Sequence, residues 1–190
     1  MTLAWVIGGG GLLGTALRHA LAAAGARLFT PQDRFLWGDE AAMQQQFAAA
    51  LDAFEAQARP ADRWEIYWAA GLGTMGADRA QMAGETQALS LLLAQLAARP
   101  ALRALPGALA FSGSAGAVWA GSAAELVSEQ TPTATAQPYG LEKLRQEEAI
   151  RHFAAGWPQL PILLARITSL YGANQGWAKR QGPRGRQLNA

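Results

Sequence analysis

Near the start of the chain an apolar segment runs into four glycines: Trp5-Val6-Ile7-Gly8-Gly9-Gly10-Gly11-Leu12-Leu13-Gly14. A segment with helical character then continues from Leu12 to about Ala24. Glycine adopts backbone angles and close approaches that a Cβ forbids, and the start of a helix offers N–H groups and a positive dipole end to an anion. The pattern reads as G-x-G-x-x-G or, through Gly8, Gly11 and Gly14, as G-x-x-G-x-x-G. It predicts a dinucleotide pyrophosphate site; the alternative is a glycine turn without a ligand.

The composition narrows the class of protein. The chain has 190 residues, of which 51% are hydrophobic and 16% charged, which is typical of a globular protein with one sizeable core. The net charge is +2, and no basic stripe of the kind that binds nucleic acid precedes the last residues. The absence of cysteine excludes disulfides and thiolate catalysis. His19 and His152 lie far apart in sequence, and we expect no metal site.

The N-terminal region does not have the pattern of a secretory signal. No basic residue precedes its apolar residues, the glycines interrupt them, and Arg18-His19 divides the remainder. No other apolar run reaches membrane-spanning length without a charge or a proline. We therefore expect a soluble, cytoplasmic protein that binds neither a membrane nor nucleic acid.

Apolar segments of strand length alternate with segments of helical periodicity. The predicted strands are Leu3–Ile7, Ala26–Thr30, Phe35–Trp37, Trp64–Ala69, Ala108–Ser112 and Leu160–Ile167, and the predicted helices are Leu12–Ala24, Ala41–Ala58, Arg79–Ala98 and Tyr139–Ala155. Asp39 is placed to cap the second helix. This alternation is typical of βαβ units in an α/β fold with a parallel sheet. Ligands then bind beyond the carboxyl ends of the strands.

Tyr139 and Lys143 are four residues apart, so on a helix both project from one face. A nearby ammonium favours the phenolate form and lowers the pKa of a tyrosine. Such a tyrosine exchanges a proton with a substrate hydroxyl or carbonyl near neutral pH. The alternative is an exposed tyrosine and lysine on an ordinary helix.

Ser114 follows the Ala108–Ser112 strand, at the carboxyl end of the predicted sheet. A hydroxyl at this place can hydrogen-bond a substrate oxygen and stabilise developing charge. A turn serine that bonds only to the backbone is the alternative.

Taken in order, these motifs resemble those of the extended short-chain dehydrogenase/reductase family, which comprises NAD(P)-dependent epimerases, dehydratases and reductases. The motifs are Gly8-x-x-Gly11-x-x-Gly14, Trp68-Ala69-Ala70-Gly71, Ser112-Gly113-Ser114-Ala115, Tyr139-x-x-x-Lys143 and Leu164-Ala165-Arg166-Ile167-Thr168-Ser169-Leu170-Tyr171-Gly172. The resemblance covers roughly residues 3 to 176. It implies a Rossmann-type doubly wound parallel sheet with helices on both faces.

The resemblance also implies a role for each site residue. Tyr139 is the expected general acid/base, Lys143 the residue that binds the nicotinamide ribose and lowers the tyrosine pKa, and Ser114 the group that polarises the reacting carbonyl. The expected cofactor is NAD or NADP. Its pyrophosphate is expected at the backbone of Gly11, Leu12 and Leu13, between Gly8 and Gly14, and its adenosine side at Asp39, Ala69, Ala70 and Gly71. The expected substrate is a small molecule such as a nucleotide sugar, and a homodimer is possible.

The sequence departs from the family pattern near the cofactor. A NAD-preferring site usually has an acid at the end of the second strand, whereas this chain has Thr30 there, with Asp33 and Arg34 just beyond it. Arg34 could meet a 2′-phosphate, which favours NADP; a plain surface arginine is the alternative. Glu85 or Gly84 stands where the family has a mid-helix asparagine, and Ser169 where another asparagine is frequent.

The larger departure is at the end of the chain. Residues 1–172 form the expected NAD(P)-binding domain, and residues 173–190, which lack apolar periodicity, are an expected flexible tail in place of a substrate lobe. We therefore expect a shortened or truncated family member. The alternatives are a non-catalytic dinucleotide-binding or sensing module and an inactive family member.

Overall fold

The structure, a computed structural model, describes residues 1–71 and 79–172. In chain order its elements are β1 (Thr2–Ile7), α1 (Leu12–Ala23), β2 (Arg27–Phe29), α2 (Glu40–Ala58), β3 (Arg63–Trp68), α3 (Arg79–Ala97), α4 (Pro100–Arg103), β4 (Gly107–Ser114), α5 (Ala115–Val118), α6 (Pro138–Ala155) and β5 (Ile162–Ile167). The predicted alternation of strands and helices is confirmed. The predicted flexible tail, residues 173–190, lies outside the described residues.

All five strands are parallel, in the order β2-β1-β3-β4-β5. The chain moves outward from β1 to β2, crosses back to β3 and continues to β5. Because parallel crossovers are right-handed, this reversal puts α1 on one face and α2, α3 and α6 on the other. The fold is therefore the predicted Rossmann-type α/β sheet with helices on both faces, and its direction reverses between β1 and β3.

The core lies between the sheet and the helices α2, α3 and α6, which cover one of its faces. Trp64, Ile66 and Trp68 alternate along β3 and are buried on this face. The indole of Trp64 donates a 3.0 Å hydrogen bond to the carbonyl of Leu102, so α4 satisfies its buried N–H group. No helix in the described ranges is long and apolar enough to cross a membrane.

The predicted strand Phe35–Trp37 is wrong, because this segment is a loop. Its aromatic side chains pack on α2 and β3 instead: the ring centroids of Phe35 and Phe47 are 4.6 Å apart, and those of Trp37 and Trp68 are 6.2 Å apart. The side chain of Gln46 on α2 accepts a hydrogen bond from the Leu36 N–H. These contacts supply the burial and the hydrogen bonding that strand pairing would have supplied.

Candidate functional site

The glycine turn joins β1 to α1 at the reversal point of the sheet. Gly8 has a φ of 86°, in the left-handed region that favours glycine, and the Gly11 N–H donates to its carbonyl over 3.0 Å. Gly11 is the N-cap of α1 and carries no side chain that could occupy the N–H groups of the first turn. The predicted pyrophosphate residues Leu12 and Leu13 begin the helix, so their N–H groups lie at its positive end.

Two close backbone approaches hold this turn in place. A Cβ on Gly8 would lie 2.5 Å from the Ala70 nitrogen, and a Cβ on Gly14 would lie 2.7 Å from the Gly9 Cα and overlap the Gly8 carbonyl oxygen. The turn is thus pressed against the end of β3 on one side and against α1 on the other. A tight glycine turn that leads into the N-terminus of a helix without a capping side chain fits the pyrophosphate of a nicotinamide dinucleotide, which needs close approach of the backbone.

Ser114, Tyr139 and Lys143 lie together at the same edge of the sheet. Ser114 is the last residue of β4, two residues beyond the predicted end of that strand, and its side chain lies close enough to the Tyr139 hydroxyl to lower the pKa of that group. Tyr139 is in the first turn of α6, and the Lys143 Nζ lies 5.7 Å from the centroid of its ring. The structure therefore brings these three predicted residues together.

Gly140 sets the position of Tyr139. A Cβ at Gly140 would lie 2.5 Å from the carbonyl oxygen of Ala117, so the start of α6 rests directly on the backbone of α5. Since α5 begins at Ala115, right after Ser114, this contact fixes the distance between the serine and the tyrosine.

The expected depression of the Tyr139 pKa is not found. Burial raises this pKa, the Ser114 side chain lowers it, and the Glu85 carboxylate raises it, so that the pKa lies above its ordinary value. The physical reason is that the burial of the hydroxyl outweighs the effect of Ser114, and the Glu85 carboxylate next to Lys143 adds to the rise. Burial lowers the Lys143 pKa, and the Glu85 charge and hydrogen bond partly offset that effect.

Polar residues that the sequence analysis missed surround Lys143 between α3 and α6. Lys143 donates to the Gln146 Oε1 over 2.9 Å, and its Nζ is 3.6 Å from a Glu85 carboxylate oxygen. The Thr86 hydroxyl donates to Glu142 over 3.0 Å and accepts from the Gln146 amide over 3.2 Å. The departure from asparagine near position 85 is the sequence signal that could have pointed to this cluster.

A second buried charge cluster, also missed, joins α6 to β5. Glu147 is 0% exposed and accepts two 2.8 Å hydrogen bonds from Arg166 and one of 2.8 Å from Arg151. Burial raises the Glu147 pKa, but the hydrogen bonds and charges of the two arginines more than offset it, so the pKa lies below its ordinary value. The Arg166 guanidinium also lies 4.7 Å from the Trp119 ring centroid.

A mostly apolar pocket of about 330 Å³ opens next to the end of β4. Its lining includes Ala115 and Trp119 from the α5 region and Thr168 and Ser169 from the segment after β5. Ala115 directly follows Ser114, so the pocket opens at the end of the strand that carries this serine. Pockets of this volume hold small molecules.

The remaining predicted cofactor residues lie around the reversal point. Ala69, Ala70 and Gly71 follow β3, beside the glycine turn. The Arg34 side chain is exposed in the loop after β2 and forms no ion pair within residues 1–71 and 79–172. Asp39 caps α2 as predicted, since its carboxylate accepts the Ala42 N–H over 2.9 Å.

Solved structures similar to this chain share its fold and are longer. A putative epimerase from Burkholderia cenocepacia J2315 is 24% identical with a TM-score of 0.66, over 93% of this chain and 57% of that one. RMD from Pseudomonas aeruginosa, complexed with NADPH, is 21% identical with a TM-score of 0.69, over 94% and 57%. UDP-glucuronic acid 4-epimerase from Bacillus cereus, in complex with NAD, is 17% identical with a TM-score of 0.60, over 92% and 58%.

The family assignment rests on the sequence. No curated protein sequence matches the chain, and the chain spans less than two thirds of the length of the solved proteins above. The sequence model of one family, however, matches residues 4–186, which is nearly the whole chain. The chain therefore belongs to the NAD dependent epimerase/dehydratase family.

Proposed function

We propose that this chain is the dinucleotide-binding and proton-transfer part of an epimerase, dehydratase or reductase. Its substrate is a hydroxyl or carbonyl compound of the nucleotide-sugar type, and its cofactor is NADP or NAD. The observation that carries the proposal is the meeting of Ser114, Tyr139 and Lys143 at the sheet edge that also holds the glycine turn. The homodimer that the family resemblance implies stays a prediction.

Each residue has a task in this proposal. The backbone of Gly11, Leu12 and Leu13 holds the pyrophosphate, while Ala69 to Gly71 and Asp39 line the adenosine side. When bound, the nicotinamide supplies or accepts a hydride. Tyr139 gives or takes the proton at its phenolic oxygen, Ser114 orients that oxygen and the substrate oxygen, and Lys143 holds the ribose.

The choice of substrate class and cofactor follows from several observations. The pocket after β4 can hold a small molecule, and the similar solved structures include two UDP-sugar 4-epimerases in complex with NAD as well as RMD in complex with NADPH. Thr30, rather than an acidic residue, follows β2, and the exposed Arg34 beyond Asp33 in the same loop favours the 2′-phosphate of NADP.

Replacing Tyr139 with phenylalanine tests the proposal. The change removes the proton-transferring oxygen and keeps the ring, so turnover of a nucleotide sugar should fall by at least about a hundredfold. The affinity for NADP, measured by calorimetry, should stay within about twofold. Tyr171→Phe, a change at an exposed tyrosine, is the matched control and should keep full turnover. Unchanged turnover in Tyr139→Phe would remove the catalytic assignment.

A second candidate function is dinucleotide binding without catalysis. One observation favours it: the Lys143 ammonium is already engaged by Glu85 and Gln146. Calorimetry with NADP and NAD, combined with a screen of nucleotide sugars, separates the two candidates. Binding of either cofactor without turnover of any substrate supports dinucleotide binding without catalysis.

A further inference from the structure

Glu85 lies on α3, opposite Lys143 of α6 and beside the end of β3. Its carboxylate is 3.6 Å from the Lys143 Nζ, and the side chains of Lys143 and Glu85 are only 6% and 16% exposed. A Cβ on Gly71 would lie 3.1 Å from the same carboxylate. The ion pair is thus enclosed by α3, α6 and Gly71 of the segment that follows β3, at the edge where the cofactor is proposed to bind.

The charges around Tyr139 differ from those of a site with an isolated lysine. An unopposed ammonium near a phenol favours the phenolate, because it stabilises the negative charge. Here a carboxylate stands next to the ammonium in an enclosed place, where screening by water is weak. Its effect on Tyr139 is opposite to that of the lysine: together with burial, which is the larger cause, it raises the tyrosine pKa.

The two buried carboxylates of α6, Glu142 and Glu147, are paired with arginines and not with Lys143. Glu142, on α6 beside Lys143, is paired with Arg145 and accepts the Thr86 hydroxyl. Glu147, one turn after Lys143, is held by Arg151 and Arg166. Glu85 is therefore the carboxylate placed to balance Lys143.

We propose that Glu85 is a positioning residue of the site. Its carboxylate holds the Lys143 ammonium between α3 and α6 and offsets the positive charge that would otherwise favour the phenolate form of Tyr139. This inference rests on the proposed function, because it concerns the direction in which Tyr139 transfers its proton. A phenol donates a proton to a substrate oxygen, whereas a phenolate removes one, so Glu85 prepares the site for proton donation.

Titration of Tyr139 in Glu85→Gln tests this inference directly. Glutamine keeps the size of the side chain and removes its charge. The chain has three tyrosines, so carbon NMR of protein labelled at the tyrosine Cζ gives a readable titration, with Tyr139→Phe to assign the resonance. Removing the carboxylate should lower the Tyr139 pKa by about one unit, a shift of the size that a nearby charge produces.

Glu142→Gln is the matched control, since it removes a buried carboxylate from the same helix interface whose charge does not contribute to the raised Tyr139 pKa; it should leave the titration within about 0.3 units. Glu85→Asp keeps the charge and should retain most of the elevation of the Tyr139 pKa. If circular dichroism shows that Glu85→Gln does not fold, Glu85→Asn serves in its place, with the same downward shift expected.

An unchanged Tyr139 titration in folded Glu85→Gln or Glu85→Asn overturns the inference, and so does an equal shift in Glu142→Gln. The measurement uses neither cofactor nor substrate. Full turnover in Tyr139→Phe would contradict the proposed function. An unchanged Tyr139 titration would contradict only the role of Glu85, so the two outcomes are distinguishable.

Discussion

Gly14 and Gly84 are both glycines within helices, yet a methyl group has opposite expected effects at the two positions. A Cβ on Gly14 would meet the backbone of Gly8 and Gly9, which cannot rotate away as a side chain can. A Cβ on Gly84 would have no heavy atom within 4 Å apart from its own helix backbone and chain neighbours. The difference decides which glycine the fold requires.

We expect Gly14→Ala to destabilise the protein by about 2 kcal/mol, the cost of forcing a methyl group into a filled place, and to weaken NADP binding at least tenfold. Gly84→Ala should stabilise it by up to about 1 kcal/mol, because alanine is the better helix former. Urea denaturation and calorimetry measure the two effects. Equal stability and equal affinity in the two variants would contradict the close approach at Gly14.

The sequence predicts that this run of glycines forms the turn, but it leaves open which of them are indispensable. It allows two readings of the motif, and the structure gives tight backbone contacts to Gly8 and Gly14. The contact at Gly8 depends on Ala70, which is remote in sequence and becomes a neighbour only when β3 pairs with β1. A local motif cannot contain that information.

Helix α6 is held to β5 by Glu147, and this attachment carries a stability prediction. Glu147→Gln should destabilise the protein by about 3 kcal/mol at neutral pH, because it leaves Arg166 without its buried partner. Glu148→Gln is the control on the same helix. Its side chain is 78% exposed, and its loss should change stability by less than about 0.5 kcal/mol.

The Glu147 effect should also depend on pH in a known direction. Its pKa in the folded protein lies below the ordinary value of 4.5. The stabilisation is therefore complete above about pH 4.5 and is lost as the pH falls through the folded pKa. Urea denaturation at several pH values should show the difference between wild type and Glu147→Gln shrinking below pH 4.5; a difference that grows there would contradict the ion pair.

The sequence predicts the existence of α6 and the Tyr139–Lys143 pair on it, but not the polar side chains that this helix buries. Lys143, Gln146 and Glu147 face α3 and β5 together with Ile150 and Phe153. Glu85 and Arg166 lie on other elements and complete the charges. Which residues pair depends on how α3 and α6 are rotated against each other, and periodicity within one helix does not give that rotation.

Cofactor binding should stabilise the whole molecule. A dinucleotide that binds only the folded chain, at a hundred times its dissociation constant, adds about 2.7 kcal/mol, which corresponds to a rise in Tm of roughly 5 to 10 °C for a domain of this size. We expect a larger rise with NADP than with NAD at equal concentration. Arg34→Ala should remove that difference and leave the NAD shift unchanged.

Arg63→Ala is the control for this measurement, since Arg63 begins β3 at the opposite edge of the sheet. It should preserve both shifts. If Arg34→Ala gives the same NADP shift as wild type in thermal unfolding, Arg34 is a surface arginine and the NADP preference must be abandoned.

The architecture of the molecule could be predicted because glycine turns and apolar periodicity are local signals. The wrong prediction of a strand at Phe35–Trp37 shows the limit of such local signals. An aromatic triplet has the composition of a strand, but Gln46 and Phe47 of α2 provide its hydrogen bonds and its packing. Short elements such as α4 and α5 were also not predicted, because four residues are too few to show a period.

The proximity of Gly71 to the Glu85 carboxylate has a consequence for the evolution of this chain. With a Cβ at position 71 only 3.1 Å from that carboxylate, a side chain there and a glutamate at position 85 compete for the same space. The two positions should therefore covary among descendants of a common ancestor. Lineages that acquire alanine or a larger residue at 71 should carry a shorter residue at 85 and a changed backbone at 71, where the φ of 152° disfavours a side chain. Lineages that keep the glutamate should keep the glycine.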